Sequence, residues 1–203
     1  MSVIGKGGID ELLSAPDPQN RLFITPMLHP MQVGGASIDV RLGFDFVTVK
    51  RGNIGLLDSA KPVGQRERFR TSHHLNIKEG FYLHPNEMAL GSTLEYIRLP
   101  LSVAAYVTSR SKWGRLGLVI ATATAIHPGF AGTITLELVN HGNVPIVLYP
   151  GDRLAQLILN DARQAVAYSG PLAKQTGPYP AAPGETTQAD DDDREFWYPP
   201  QTG

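Results

Sequence analysis

The sequence predicts a mainly β fold, a barrel or sandwich, with a short N-terminal helix and an irregular C-terminal tail. Short apolar runs rich in β-branched residues recur along the 203-residue chain and are bounded by Gly and Pro, which is typical of antiparallel strands joined by turns. A hydrophobic content of 42% is enough for one substantial core. We therefore expect a β-barrel domain with an N-terminal helical arm over residues 1–168 and a separate tail over residues 169–203.

The expected elements follow in order along the chain. Residues 9–15, IDELLSA, have a weak helical pattern that the following prolines end. ASIDVRLG (36–43) alternates polar and apolar residues and FDFVTV (44–49) continues this period of two, with Gly43 expected to separate two strands. Residues 50–76 are polar and predict a long connection. Further short antiparallel strands, ended by prolines, are predicted at 80–85, 88–100 and 102–109.

Charge and hydropathy exclude several classes of partner. The formal net charge is -1, so nothing electrostatic favours a nucleic acid, although local basic residues can bind a small anion. No apolar run is long enough to cross a bilayer, and residues 1–13 lack the basic start and apolar centre of a signal peptide. We expect a cytoplasmic protein that binds neither nucleic acid nor membrane.

The chain contains no cysteine, which removes disulfides, thiol nucleophiles and the usual zinc sites together. The zinc nucleobase deaminases need an H-x-E element and a P-C-x-x-C pair, so this chain is not one of them. His73 and His74 are adjacent in a polar segment, and neighbours on an extended chain point to opposite sides. We expect these two histidines in a solvated loop and no protein metal site.

Most charged candidates for chemistry fall between residues 108 and 159. Glu137 lies in the apolar strand TITLELVN and is expected to be partly buried, which would raise the pKa of its carboxyl and suit a proton shuttle. The alternative is an ordinary strand glutamate facing solvent. Ser111 and Arg115 are four residues apart and would share one side of a helical turn; the alternative is a plain surface turn. Arg110 beside this turn suits an anion cradle.

The tail over residues 169–203 is rich in Pro and Gly, carries four aspartates at 190–193 and has no helix or strand period. Two hypotheses remain open for it. It is an active-site lid in which Lys174 and Gln175 fold over a ligand, or a partner-binding segment that uses the aromatic triplet at 196–198. The simpler alternative is a solvated end.

Four motifs in register together make the sequence resemble the dCTP deaminase branch of the dUTPase-like superfamily. The resemblance covers roughly residues 9–160. It implies a distorted, jelly-roll-like β-barrel, a homotrimer with active sites at subunit interfaces, and hydrolysis of dCTP to dUTP and ammonia without zinc. Some family members also cut dUTP to dUMP and pyrophosphate. The motifs are GGASIDVRLG (34–43), FYLHPNEMALGSTLEYIRLP (81–100), SRSKWGRLGL (109–118) and HPGFAGTITLELVN (127–140).

The resemblance also implies roles for individual residues. Glu137 is the expected proton shuttle, Ser111 helps to hold the attacking water, and Arg115 stabilises charge on the tetrahedral intermediate. Magnesium would be bound through the triphosphate rather than in a protein cage. The residues implied in binding the nucleotide are Arg110, Lys112, Ala123, Ile126, His127, Lys174 and Gln175.

One segment departs from the family pattern. The family has I-D-P-G-F or I-D-P-G-W where this chain has His127 in place of the aspartate. In dUTPases that aspartate activates water and a tyrosine three residues later covers the sugar, whereas this chain has Phe130. A histidine can still bond the 3′ hydroxyl of a deoxyribose, and its protonation would make binding depend on pH.

Three functional classes therefore remain at this stage. An active dCTP deaminase is favoured because Glu137, Ser111 and Arg115 are all present. A bifunctional enzyme that also hydrolyses dUTP is disfavoured by His127 and Phe130. A non-catalytic, regulatory nucleotide-binding protein on the same barrel is the third, and the unusual tail supports it.

Overall fold

The computed structural model describes residues 2–49, 70–121, 125–162 and 176–177. Within them the fold is mainly β, with two short helices and one 3-10 turn at Pro30–Gln32. The helices are α1 Lys6–Ser14 and α2 Ser111–Gly114. The strands are β1 Phe23–Thr25, β2 Ile38–Val49, β3 Arg70–His74, β4 Phe81–Leu83, β5 Met88–Thr93, β6 Tyr96–Arg98, β7 Val103–Ser109, β8 Leu118–Ile120, β9 Ala125–Ile126, β10 Ala131–Gly132, β11 Thr135–Asn140, β12 Ile146–Leu148 and β13 Arg153–Asp161.

The short N-terminal helix predicted from residues 9–15 is confirmed as α1. It begins three residues earlier than the pattern indicated, and its first turn closes when the Ile9 N–H donates to the Gly5 carbonyl at 3.0 Å. Ile9 is fully buried and belongs to the main hydrophobic core. Half-buried Leu12 and Leu13 pack against the same core, so three apolar side chains of one face anchor the helix on the barrel.

Strand β2 organises the largest sheet. Its first residues pair with β13 and its later residues pair with β5 on one side and β3 on the other. The prediction that Gly43 separates two strands is wrong, because β2 runs through it with only a register shift between Leu42 and Phe46. Glycine is needed there for space, since a Cβ at residue 43 would lie 3.0 Å from the Ser92 hydroxyl oxygen.

The remaining strands extend this sheet on both sides. The order is β8-β11-β5-β2-β13-β7-β9, with β3 also paired to β2, and the smaller sheets are β1-β6-β10 and β4-β12. Every pairing between these strands is antiparallel. One continuous core lies inside, in which Phe46 stacks on Phe81 at 4.3 Å between ring centroids. The predicted mainly β, barrel-like architecture is confirmed.

The two adjacent histidines are not in a loop, so that prediction is wrong. His73 and His74 belong to β3, which pairs with β2. Because strand neighbours point to opposite sides, half-buried His73 contacts the Thr48 hydroxyl at 2.9 Å while exposed His74 contacts the Asp45 carboxylate at 2.7 Å. This polar segment forms a strand because its histidines bond to Thr48 and Asp45 on β2, which are 25 and 29 residues earlier in the chain.

A buried polar cluster joins the 3-10 turn, β2 and the β5–β6 connection. The Glu95 side chain is fully buried and accepts from the Arg41 backbone N–H at 2.8 Å, the Arg41 guanidinium at 3.0 Å and the Gln32 amide at 2.9 Å. Arg41 also donates to the Gln32 side-chain carbonyl. Burial raises the pKa of Glu95, against the lowering effects of the Arg41 N–H and charge.

Among the residues described, no helix combines the length and the apolar character that a membrane crossing requires. Of the predicted tail over residues 169–203, only residues 176–177 lie within the described part. The lid and partner-binding hypotheses for the tail therefore stay predictions.

Candidate active site

Glu137 lies in the middle of β11, on the face of the sheet that points away from the core. The residues before and after it in the strand are fully buried, whereas Glu137 itself is half-buried. Its cross-strand neighbour on this face is Leu90, and Val139 follows two residues later, opposite both Met88 and Val119. Met88 and Val119 are 50% and 40% exposed. The carboxylate thus stands in an apolar, partly open surface, as the strand pattern predicted.

Ser111 begins the single turn α2, and Arg115 is the residue that directly follows it. The Arg115 N–H donates to the Ser111 carbonyl at 3.1 Å, which is the hydrogen bond between residues four apart that defines a helical turn. Both residues are exposed. The predicted shared turn is confirmed, and it presents a hydroxyl and a guanidinium to the surroundings of the chain.

The turn is fixed to β13 by backbone and side-chain contacts. The Arg110 N–H donates to the Leu154 carbonyl at 2.9 Å, and the Trp113 indole N–H donates to the Arg153 carbonyl at 2.8 Å. Trp113 is buried, and the Lys112 ammonium lies 4.7 Å from the centre of its ring. The buried indole therefore anchors a turn whose polar side chains remain exposed.

Asp39 on β2 collects charged partners around the start of α2. Its carboxylate lies 3.0 Å from the Arg110 guanidinium and 3.5 Å from that of Arg153, and it accepts from the Gln156 amide at 3.1 Å. Sequence reasoning singled out Arg110 but missed Asp39 and Arg153. No local signal marks them, because Asp39 occupies an ordinary polar position of an alternating strand pattern and its partners are 71 or more residues away.

The chain places Glu137 and α2 at opposite ends of β8. The Ala121 N–H donates to the Glu137 carbonyl at 2.8 Å, whereas the Gly117 carbonyl, between α2 and β8, accepts from the His141 N–H at 2.8 Å. Four residues of extended chain, or about 13 Å, separate Ala121 from Gly117. The register therefore does not bring the predicted catalytic residues together along this strand.

Gly117 fixes the connection between α2 and β8. Its φ is +91°, a left-handed value that favours glycine, and a Cβ there would lie 2.6 Å from the Gly142 nitrogen. Asn140 stabilises the turn after β11, because its side-chain oxygen accepts a hydrogen bond from the Gly142 N–H at 2.8 Å. The connection that follows α2 thus packs closely against the turn that follows β11.

The segment that departs from the family pattern follows β9. Ile126 is buried and pairs with Ala105 on β7, while His127 is exposed. The Phe130 N–H donates to the His127 carbonyl at 3.1 Å, and Gly129 takes a φ of +77° in this turn. Phe130 itself is buried in the core. His127 is therefore the polar side chain that this turn presents outward.

Three predicted substrate-binding residues, Ala123, Lys174 and Gln175, lie outside the described residues. Among the residues that are described, no group of three or more His, Asp or Glu side chains is arranged to hold a metal ion.

This chain is similar to known proteins over most of its length. A family model described as dCTP deaminase-like matches residues 10–162. A dCTP deaminase of Natronomonas pharaonis is 36% identical over 195 residues, covering 91% of this chain and 97% of that protein. A dUMP-forming dCTP deaminase of Dictyoglomus turgidum is 40% identical over 143 residues, covering 68% of this chain and 72% of that protein.

The fold has a counterpart among solved structures. The 2′-deoxycytidine 5′-triphosphate deaminase of Agrobacterium tumefaciens superposes with a TM-score of 0.58 at 24% identity, over 78% of this chain and 47% of that chain. At this identity the likeness concerns the fold, and it agrees with the barrel that the sequence predicted. Because the family model spans most of the chain and the Natronomonas relative is matched along nearly its whole length, this protein belongs to the dCTP deaminase-like family.

Proposed function

We propose that the protein hydrolyses the exocyclic amine of dCTP, giving dUTP and ammonia. The observation that carries this proposal is the half-buried Glu137 carboxylate on an apolar sheet face, in a chain that also keeps Ser111 and Arg115 on one exposed turn. The proposal is supported by family membership and by the names of the relatives described above.

The reaction makes definite demands on these residues. Glu137 takes a proton from water as the water oxygen attacks C4 of the cytosine, and passes this proton to N3, so that its carboxylate is free again. The remaining hydroxyl proton then passes through Glu137 to the amine, the C4–N bond breaks, and ammonia leaves as the carbonyl forms. Ser111 holds the attacking water, and Arg115 stabilises the charge of the tetrahedral intermediate because its guanidinium stays cationic. The chemistry proceeds without zinc, in keeping with a chain that has no cysteine ligands.

The site is completed by a second copy of the chain in a homotrimer. Two observations support this. Along the paired strands Glu137 lies about 13 Å from Gly117, which follows α2, and the sheet face around Glu137 exposes Met88 and Val119. A neighbouring subunit that covered this apolar face with its own α2 would bury the hydrophobic side chains and bring Ser111 and Arg115 to Glu137.

The triphosphate is bound by the cations next to the same turn. Arg110 carries a partly exposed guanidinium at the start of α2, and exposed Lys112 follows two residues later. Lys174 and Gln175 are proposed to reach the phosphates from the tail. Mg²⁺ enters with the nucleotide, since phosphate oxygens are the hard ligands that it prefers.

The base and sugar are placed against the segment around β9. The backbone near Ala123 and Ile126 reads the pyrimidine edge, and the exposed His127 bonds the 3′ hydroxyl of the deoxyribose. A second activity, cleavage of dUTP to dUMP and pyrophosphate, is raised by the Dictyoglomus relative, whose name specifies dUMP formation. His127 in place of the family aspartate weighs against it.

The test is product analysis with dCTP and Mg²⁺. Ammonia and dUTP should form in equal amounts, whereas dUMP and pyrophosphate would reveal the bifunctional enzyme. The Glu137→Gln variant should bind dCTP without turnover, and Glu11→Gln, which removes an exposed carboxylate on α1, should behave as the parent. Binding of dCTP by the parent without any product would overturn the proposal and favour a regulatory nucleotide-binding protein.

The shared site has its own test. Glu137→Gln and Arg115→Gln subunits are each expected to be inactive alone. Mixed, unfolded and refolded together, they should regain part of the parent activity, because some interfaces then combine an intact Glu137 with an intact α2. Mixtures without activity, from subunits that assemble normally, would place both halves of the site in one chain.

A further inference from the structure

Asp39 holds two arginines that come from different parts of the chain. Arg110 precedes α2 and Arg153 begins β13, and their guanidinium groups lie 3.0 and 3.5 Å from the same oxygen of the Asp39 carboxylate. We propose that Asp39 positions Arg110 and Arg153 as one paired guanidinium site for the nucleotide phosphates, which makes Arg153 a further phosphate-binding residue. This inference rests on the proposed function and adds two residues to it.

The three side chains of the cluster differ in their exposure to solvent. The Asp39 side chain is 9% exposed, whereas those of Arg110 and Arg153 are each 32% exposed. The negative charge therefore lies inside and the two positive charges lie outside. One carboxylate against two guanidinium groups leaves a net positive charge at a partly desolvated surface, where an anion is attracted more strongly than at a fully hydrated one.

The donors of the two arginines are not exhausted by Asp39. Each guanidinium carries five N–H groups in a planar fork, and Asp39 is approached by Nη1 of each. The other carboxylate oxygen already accepts from the Gln156 amide at 3.1 Å. The remaining donors suit the oxygens of a phosphate, which a guanidinium binds with two parallel hydrogen bonds.

Backbone contacts fix the two arginines relative to the catalytic turn. The Arg110 N–H bonds the Leu154 carbonyl, next to Arg153, and the Arg153 carbonyl accepts from the Trp113 indole. Ser111 follows Arg110 directly. The paired guanidinium site is thus continuous with the turn that carries Ser111.

The test compares Arg153→Gln with Arg98→Gln. Arg98 lies in a different sheet, donates to the Pro18 carbonyl and stacks on Phe23, so its variant loses the same charge away from the cluster. Arg153→Gln should raise the KM for dCTP about tenfold and leave kcat within about twofold, since a lost hydrogen bond to a charged group has about this effect on binding. Inhibition by inorganic tripolyphosphate should weaken by a similar factor, and Arg98→Gln should change neither.

Asp39→Asn and Arg153→Lys separate positioning from structure. Asp39→Asn keeps the shape of the side chain but removes the negative charge that holds both guanidinium groups, so KM should rise while kcat stays near the parent value. Arg153→Lys should restore part of the affinity for tripolyphosphate without the bidentate geometry. An Arg153→Gln variant with the parent KM and parent tripolyphosphate inhibition would overturn the inference.

Failure of the proposed function is distinguishable from failure of this inference. A parent protein that never deaminates dCTP defeats the function, but its binding of tripolyphosphate, measured by calorimetry, still reports on the paired guanidinium site. Equal tripolyphosphate affinity in parent and Arg153→Gln would then refute the site itself.

Discussion

Replacing Arg41 with Met should destabilise the protein strongly. The guanidinium is buried, lies 3.0 Å from the fully buried Glu95 carboxylate and also donates to Gln32. The Met side chain fills a similar volume but leaves Glu95 without its counter-charge. Removal of one partner from a buried ion pair costs about 3–5 kcal/mol of the free energy of unfolding. The Arg41 backbone N–H and the Gln32 amide remain as donors to Glu95, so we expect the lower end, about 3 kcal/mol.

The loss should depend on pH in a definite direction. Burial raises the pKa of Glu95 above its ordinary value of 4.5, and the Arg41 charge opposes this rise. Without Arg41 the pKa rises further, so the folded variant holds its proton to higher pH than the unfolded chain does. A raised folded pKa gives stability that is present below the unfolded pKa and is lost as pH rises through the folded pKa. The loss in the free energy of unfolding caused by Arg41→Met should therefore be large at neutral pH and become smaller toward pH 4.5.

Urea unfolding at fixed protein concentration, at about pH 5 and about pH 7.5, measures this difference. The Arg98→Met control, which loses an exposed contact to Pro18, should cost less than about 1 kcal/mol. The double variant Arg41→Met with Glu95→Gln should recover most of the loss, since no buried charge remains unpaired. A deficit that is equal at both pH values, or a double variant no better than the single one, would refute the reasoning.

Two further changes address the site. Trp113→Phe removes the 2.8 Å hydrogen bond to the Arg153 carbonyl, so it should lower the free energy of unfolding by about 1 kcal/mol. It should also lower kcat/KM for dCTP, because Ser111 is less firmly placed. A folded variant with the parent kcat/KM would contradict the anchoring role of the indole. His127→Asp restores the residue of the family pattern and should change KM for dCTP severalfold with a smaller effect on kcat, whereas an unchanged KM would count against a contact between His127 and the sugar.

The strand pattern and the spacing of polar residues were sufficient to predict the elements that carry the catalytic candidates. Glu137 is half-buried within β11, and Ser111 and Arg115 lie at the start of α2 and directly after its end, because both placements depend on periods of two and of about 3.6 residues. Gly43 was misjudged for a physical reason. In a strand a glycine also marks close approach of a neighbouring backbone, here that of β5.

Contacts between distant parts of the chain were beyond what these local patterns can reveal. Asp39 meets Arg110 and Arg153, and Arg41 meets Glu95, across strand pairings that bring together residues at least 54 positions apart. Alternation of polar and apolar residues, as around Asp39 and Arg41, is typical of a strand with one face in solvent. The structure instead buries both and pairs each with opposite charge, an outcome set by tertiary packing.

The charges on β2 also constrain how this strand aligns with its neighbours during folding. A slip by one residue would turn its apolar side chains to the wrong face, but a slip by two keeps the hydrophobic pattern intact. Asp39 and Arg41 make the second kind of error unfavourable as well. Movement in one direction sets the Asp39 carboxylate beside Glu95, and movement in the other sets the Arg41 guanidinium beside Arg110 and Arg153. Alternating charge thus selects one alignment among those that hydrophobicity alone would accept.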